Sequence, residues 1–410
     1  MGDKERYREN LLVLVILLLL VGLFFSRALL SIGTGLFFLL SSWGISFRKT
    51  KQVLSQNNYY WLLALLFLLP LMSGIWSTDQ VEWWNRIQVK IPLLIIPWAF
   101  LVMPVLSKRA YYLISWCYII LVIVTSFYSV VLFANDASTF LQAYHKAGLL
   151  QVAFDNDHVR YSWAIVIALL LLVTLYKNKI NSRIENLLCI FLITWLVFYL
   201  HLLAAKTGLI TFYLGFYLYC IYCLLTAQRK WIPIVGAFMP VLLILIAYYC
   251  LPSFQHRLHY VVWDYQQYAN GHFLPGSPDG SRVASWKAGL SIFSNHCWGG
   301  VGAGDLWQYM QSYYQQNFPL FTAHDRILPN QILVYAASMG MPGLLLILSI
   351  GLYPFCIKQE RKNIIWICFH AGNLICLFTD IGLEGQYGVF LFSFFTSWFS
   401  VKNQASLLSQ

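Results

Sequence analysis

Runs of roughly 18 or more predominantly apolar residues recur from one end of this chain to the other. A helix rises about 1.5 Å per residue, so roughly 20 apolar residues cross a hydrocarbon layer about 30 Å thick. In such a layer a helix is the one segment that satisfies its backbone N–H and C=O groups by itself. The 410 residues are 59% hydrophobic and only 10% charged, whereas soluble domains carry about a quarter charged residues. The sequence therefore predicts an all-α polytopic membrane protein with about 12 transmembrane helices. The expected spans are roughly residues 10–26, 27–43, 59–75, 88–106, 111–133, 160–176, 185–203, 206–226, 231–251, 330–355, 363–380 and 385–401. The first two nearly touch, which requires a tight turn near Arg27. The run from Leu11 to Phe25 follows the charged "MGDKERYREN", as the core of a signal peptide does. No small-residue cleavage site leads into a soluble domain, so the run is read as the first span.

Charge orients these spans. Basic clusters recur at alternate ends: Lys4, Arg6 and Arg8; Arg48, Lys49 and Lys51; Lys108 and Arg109; Lys177, Lys179 and Arg183; Arg229 and Lys230; Lys358, Arg361 and Lys362; and Lys402. The positive-inside rule places these ends, and both termini, in the cytoplasm. The net charge of +11 then reflects topology rather than a nucleic-acid surface. Three parts follow: an N-terminal transmembrane bundle of about nine spans over 1–251, a large periplasmic loop over 252–329, and a C-terminal bundle of about three spans over 330–410. The loop is rich in Tyr, Trp, His and Gly, which argues against disorder and suits either an interfacial belt or sugar stacking. Most of the nine cysteines lie in apolar runs, and no spacing suggests a disulfide framework or a zinc site.

The remaining basic residues are Arg27, Arg86, Lys90, Lys146, Arg160, Lys206, Arg257, Arg282, Lys287 and Arg326. Orientation does not need them, and several stand at outer span ends, where an ionisable side chain is either functional or snorkelling. The stretch "DGSRVASWKAGLSIFSNHCWGGVGAGD" adds a glycine cluster. Bare backbone N–H groups can approach an anion, and glycines also serve close packing or turns. The stretch lacks the Lys-Ser/Thr of a P-loop and sits on the side without nucleoside triphosphates, so the anion in reach is a lipid phosphate. Arg meets phosphate bidentately. Arg160 and Lys206 have a structural alternative, ion pairs with Asp155, Asp157 or Glu384.

In their order these segments resemble the O-antigen ligase and Wzy polymerase-like membrane glycosyltransferases. "SRVASWKAGLSIFSNHCWGGVGAGD" resembles that family's Arg, Trp and Gly-Val-Gly signature in the large outer loop. "DHVRYSW" carries Arg160 at an outer end, and "LLAAKTGLITFYLG" carries Lys206 where many members have Arg. "LPNQILVYAASMGMPGLL" resembles the stretch entering the span after the loop. The family's usual Pro-His-Asn is absent: this chain has Pro329-Asn330, and the nearest histidine is His324.

The resemblance implies glycan transfer from a polyprenyl (undecaprenyl) diphosphate carrier to an acceptor hydroxyl, such as lipid A-core, on the periplasmic face of a bacterial inner membrane. It implies diphosphate binding by Arg160, Lys206, Arg282 and Arg326, with His324, Asp325 or Glu384 as the base. A departing diphosphate needs positive charge rather than a general acid, and a single displacement inverts the anomeric centre. No cofactor or metal is expected; the Asp-x-Asp at Asp155-Asn156-Asp157 is read as ion-pair partners for the outer cations. The partners implied are the lipid-linked glycan donor, the glycan acceptor and membrane lipids, without nucleic acid. A polymerase using the same donor is the alternative within the family. A transporter or flippase is the alternative of another class, and the absence of internal repeats disfavours it.

Overall fold

The expected turn near Arg27 is made by Ser26 alone. Its side chain caps the second helix by accepting from the Leu29 N–H at 3.3 Å, and its own N–H donates to Gly22 O at 2.9 Å. A Cβ at Gly22 would come within 2.6 Å of Leu30 N, so only glycine lets the two helices close so tightly. The computed structural model describes residues 3–43, 58–138, 140, 150–177, 183–270, 278–318, 327–360 and 362–400. All regular structure among the described residues is helical.

In chain order the α-helices are α1 (Asp3–Phe25), α2 (Arg27–Ser42), α3 (Asn58–Met72), α4 (Gln80–Lys90), α5 (Pro92–Val102), α6 (Lys108–Asn135), α7 (His158–Lys177), α8 (Arg183–Leu203) and α9 (Lys206–Thr226). They continue with α10 (Trp231–Gly236), α11 (Met239–Cys250), α12 (Pro252–Ala269), α13 (Pro278–Asn295), α14 (Leu306–Asn317), α15 (Gln331–Cys356), α16 (Ile364–Thr379) and α17 (Gln386–Trp398). Eight helical segments are long and apolar enough to cross a membrane: 6–25, 80–102, 108–135, 158–176, 183–203, 206–226, 231–250 and 331–356. Shorter helices occupy the other expected spans, namely α2, α3 and α16 and the 13-residue α17.

Two boundaries differ from the sequence reading. The span expected from 88 begins at Gln80, because the Asp79 side chain caps the helix by accepting from Glu82 N at 2.9 Å. Pro92 then starts α5 at a position where its missing N–H costs nothing. The polar stretch 252–329 was read as a loop, yet it carries α12, α13 and α14. α12 and α14 are rich in Tyr, Trp and Gln, and α13 and α14 each bury only a narrow stripe, Ala284, Ala288 and Ile292 in the one and Leu306, Met310 and Tyr314 in the other.

The core runs through α7 and α17, both buried along nearly their whole length. Stacked rings fill it, among them Tyr111 on Trp398 at 4.5 Å and Phe154 on Tyr387 at 4.8 Å. Around this centre α17 packs on α5, α9 on α16 and α7, and α15 on α3, α13 and α16. By contrast α11 leaves most of its apolar side chains exposed and α9 leaves most of its half-buried, as helices in contact with lipid do.

Candidate active site

Three cations singled out in the sequence meet at one end of the bundle. Arg160 stands in the first turn of α7. The chain reaches that turn through three successive left-handed residues, Phe154, Asp155 and Asn156, with φ of 65°, 54° and 64°. Asp and Asn tolerate a left-handed conformation, whereas Phe is strained by it, and the Phe154 ring is buried in the core. The left-handed run leaves Asp157 at the helix start, where the carboxylate accepts from Arg160 N at 3.1 Å and pairs with the guanidinium at 3.2 Å. Arg160 donates further to Ile381 O at 2.5 Å and lies 3.6 Å from the Asp380 carboxylate. Arg282, from α13, approaches the same Asp380 oxygen at 3.9 Å.

Lys206 opens α9 just after another left-handed residue, Ala204 (φ 52°). Its ammonium pairs with Asp279, in the first turn of α13, and the Asp279 N–H donates to the Asp264 carboxylate at 3.0 Å. Arg257 lies over the Tyr260 ring at 5.7 Å. Arg257 and Arg282 are both close enough to Lys206 to repel its charge. Four cations and four carboxylates, counting Asp157, thus share the ends of α7, α9, α12, α13 and α16.

Of the ion-pair partners expected for Arg160 and Lys206, only Asp157 is used. Asp155 pairs with Arg27 at 2.5 Å and accepts from the Tyr387 hydroxyl at 3.0 Å. Glu384 belongs to a second, sealed cluster. Lys90 lies 2.7 Å from its carboxylate, Arg86 lies at 3.6 Å, and Gln331 donates to it at 2.9 Å. Burial alone would raise the Glu384 pKa, but Lys90, Arg86 and these hydrogen bonds outweigh it and hold the carboxyl below its ordinary value. A carboxylate so engaged is a weak proton acceptor. Of the other sequence candidates, His324, Asp325 and Arg326 lie outside the described residues.

The glycine cluster serves packing. Gly300 donates to His296 O at 2.9 Å, Val301 to Ala337 O at 3.0 Å and Gly302 to Ser338 O at 2.8 Å. Ala303 and Gly304 donate to the Ser73 and Ser77 hydroxyls at 3.1 and 3.2 Å. With these N–H groups committed to protein acceptors, the segment has none of them to offer a phosphate. It docks instead against a break in α15, where Gly340 adopts φ 65° and ψ −149°. A Cβ at Gly340 would sit 2.6 Å from the Trp298 backbone. Asp305 closes the far side by accepting from Thr78 N at 2.8 Å and Asp79 N at 2.8 Å.

The sequence reading missed Asp380, Asp279, Gln331 and the proximity of Arg257. Arg257 was visible as an outer basic residue. Asp380 carries no signal beyond standing at the end of an apolar run, and Asp279 none beyond lying three residues before Arg282 in a polar stretch. No curated protein matches the chain. Residues 191–348 match the family model Wzy_C, described as O-Antigen ligase; the match takes in Lys206, Arg257, Asp279 and Arg282, while Arg160 and Asp380 lie on either side of it. The chain is therefore a multi-pass membrane protein whose residues 191–348 are similar to the O-antigen ligase family.

Proposed function

We propose that this protein transfers a glycan from a polyprenyl diphosphate carrier to an acceptor hydroxyl, of lipid A-core or of another glycan, on the periplasmic face of a bacterial inner membrane. The observation that carries the reading is the convergence of Arg160, Arg282 and Lys206 on Asp380 and Asp279 at the ends of apolar helices. A lipid diphosphate carries its charge at that level while its tail remains among the helices. With a diphosphate present, the three cations exchange carboxylate partners for a more highly charged one. The acceptor oxygen attacks the anomeric carbon, and the bond from that carbon to the diphosphate oxygen breaks. The electron pair leaves with the diphosphate, where Arg160, Arg282 and Lys206 stabilise it. The acceptor proton passes to a base in the 319–326 segment, for which we propose His324 assisted by Asp325, with Arg326 adding charge at the diphosphate. Glu384 takes a supporting place in this scheme.

The orientation agrees with the basic clusters. α7 runs from Arg160 to Lys177, α8 returns from Arg183, and α9 departs again from Lys206. If the four shorter helices also cross, the count is twelve, which supports an outer position for the Arg160 end and for the stretch 252–329. The test is incubation of the purified protein with a lipid-diphosphate oligosaccharide and each acceptor. A product on lipid A-core identifies a ligase, and a lengthened lipid-linked glycan identifies a polymerase. If neither forms while the glycan lipid crosses the bilayer of proteoliposomes, the chain is a transporter and the proposal fails.

A further inference from the structure

Gln331 is the first residue of α15 and is fully buried. Its backbone N–H, an orphan donor at the helix start, donates to Asp380 O at 3.0 Å. Its side-chain oxygen accepts from Leu383 N at 2.7 Å, and its side-chain nitrogen donates to Glu384 at 2.9 Å. One residue thus grips both ends of the turn that joins α16 to α17. From the opposite side Lys90 donates to Leu383 O at 3.2 Å and pairs with Glu384 at 2.7 Å. The turn is clamped between α15 and α4. What it presents is Asp380, between Arg160 and Arg282, and the Ile381 carbonyl that holds the Arg160 guanidinium.

We infer that Gln331 is a positioning residue for the proposed transfer: it locks the 380–384 turn, and through Asp380 and Ile381 O it sets where Arg160 and Arg282 meet the donor's diphosphate. This inference rests on the proposed function. The chemistry of the side chain fits the task, because the turn presents one N–H and one carboxylate to it. A primary amide satisfies both at once. A Glu in its place would set a second carboxylate against Glu384, and a Leu would leave a buried N–H without its acceptor. No ion pair links Gln331 to the cations, so its effect on them passes through the turn.

The test uses full-length protein in detergent, with Gln331→Leu, Asp380→Asn and the double variant. Hydrogen exchange at the 380–385 amides of Gln331→Leu is expected to speed up about tenfold or more, with the middle of α16 unchanged. Turnover with the lipid-diphosphate glycan should fall about 10- to 100-fold, the scale of a cation displaced by about 1 Å. In the Asp380→Asn background the same change should cost clearly less than in the wild type, because only the route through Ile381 O to Arg160 remains. Unchanged exchange, or losses that multiply in the double variant, would overturn the inference. If Gln331→Leu does not fold, Gln331→Asn keeps both polar groups on a shorter stem and is read by the same cycle. If the wild type transfers no glycan, the proposed function is what fails, and the exchange measurement still decides whether Gln331 locks the turn.

Discussion

The two ion clusters flanking residues 380–384 differ in access to water. Lys206 and Arg282 keep 28% and 34% of their side-chain surface exposed, with Arg160 at 11% on their buried side, while Lys90 and Glu384 keep 3% and 6%. A part-exposed ion pair is worth roughly 0–1 kcal/mol, since water and salt screen it. Its partner can therefore be exchanged at little expense for a ligand of higher charge. Removing one member of a buried pair costs about 3–5 kcal/mol, because the other stays charged and unsolvated. The difference separates a site that trades partners from a scaffold that holds it still, though only three residues lie between Asp380 and Glu384.

The largest effect is expected in the scaffold. Glu384→Ala leaves the buried Lys90 ammonium without its carboxylate and Arg86 with Glu82 alone, and should lower stability by about 3–5 kcal/mol in thermal melts in detergent. Glu384→Gln keeps an acceptor for Lys90 and should lose less. Acid probes the same cluster. The Glu384 pKa is depressed on folding, so its contribution is full above the ordinary carboxylate range and is lost as pH falls through the depressed value. The wild type should therefore lose melting temperature on acidification below about pH 4.5 more steeply than Glu384→Gln does. Equal slopes would remove Glu384 from the stability of the fold.

The exchangeable cluster should behave in the opposite way. Arg282→Ala is expected to reduce turnover about 10²- to 10³-fold, the usual effect of deleting one group that stabilises a leaving anion. Its melting should stay within about 1 kcal/mol of wild type. Lys206→Ala should follow it, and Lys206→Arg should keep part of the activity, since a guanidinium also binds phosphate. Melts that collapse together with turnover would erase the contrast between the clusters. His324→Ala comes next, with turnover down about 10²-fold and donor binding largely kept, as for loss of a general base. Turnover within a few-fold of wild type would shift the base to Asp325.

The same contrast explains what the sequence discloses. Arg160, Lys206 and Arg282 stand out because they are cations at apolar ends that orientation does not require. Their sealed counterparts read identically: Arg86 and Lys90 are also outer-end cations, and Glu384 sits in an unremarkable "IGLEGQYG". Burial is a tertiary property, and it takes α4, α15 and the 380–384 turn together to seal that cluster. The glycines of 299–304 were ambiguous for a related reason. Anion binding and close packing both call for bare backbone, and the deciding partner, the break at Gly340, lies far along the chain. Helices α1, α6 and α8 were legible because apolar length alone specifies them. Helices α12 to α14 are not, since their polar composition reads as an outer loop, and narrow stripes such as Leu306, Met310 and Tyr314 are too short to announce a helix.

The smallest effect is expected at Ala204, whose left-handed backbone turns the chain from α8 into α9 and so aims Lys206 at Asp279. Three terms compete in Ala204→Gly. Relief of the left-handed strain gains roughly 1–2 kcal/mol. Greater freedom of the unfolded chain removes about 0.4–1 kcal/mol, and loss of a buried methyl removes about 0.8 kcal/mol. They nearly cancel, so the melting temperature and turnover of Ala204→Gly should match wild type. Ala204→Val puts a β-branched side chain at positive φ, which costs on the order of 1–3 kcal/mol if the turn is kept. If the turn instead opens, Lys206 leaves Asp279, and the variant should lose donor affinity at nearly unchanged stability. Measuring melting and donor KM side by side separates the two. Wild-type values of both for Ala204→Val would show that the left-handed turn does not set the position of Lys206.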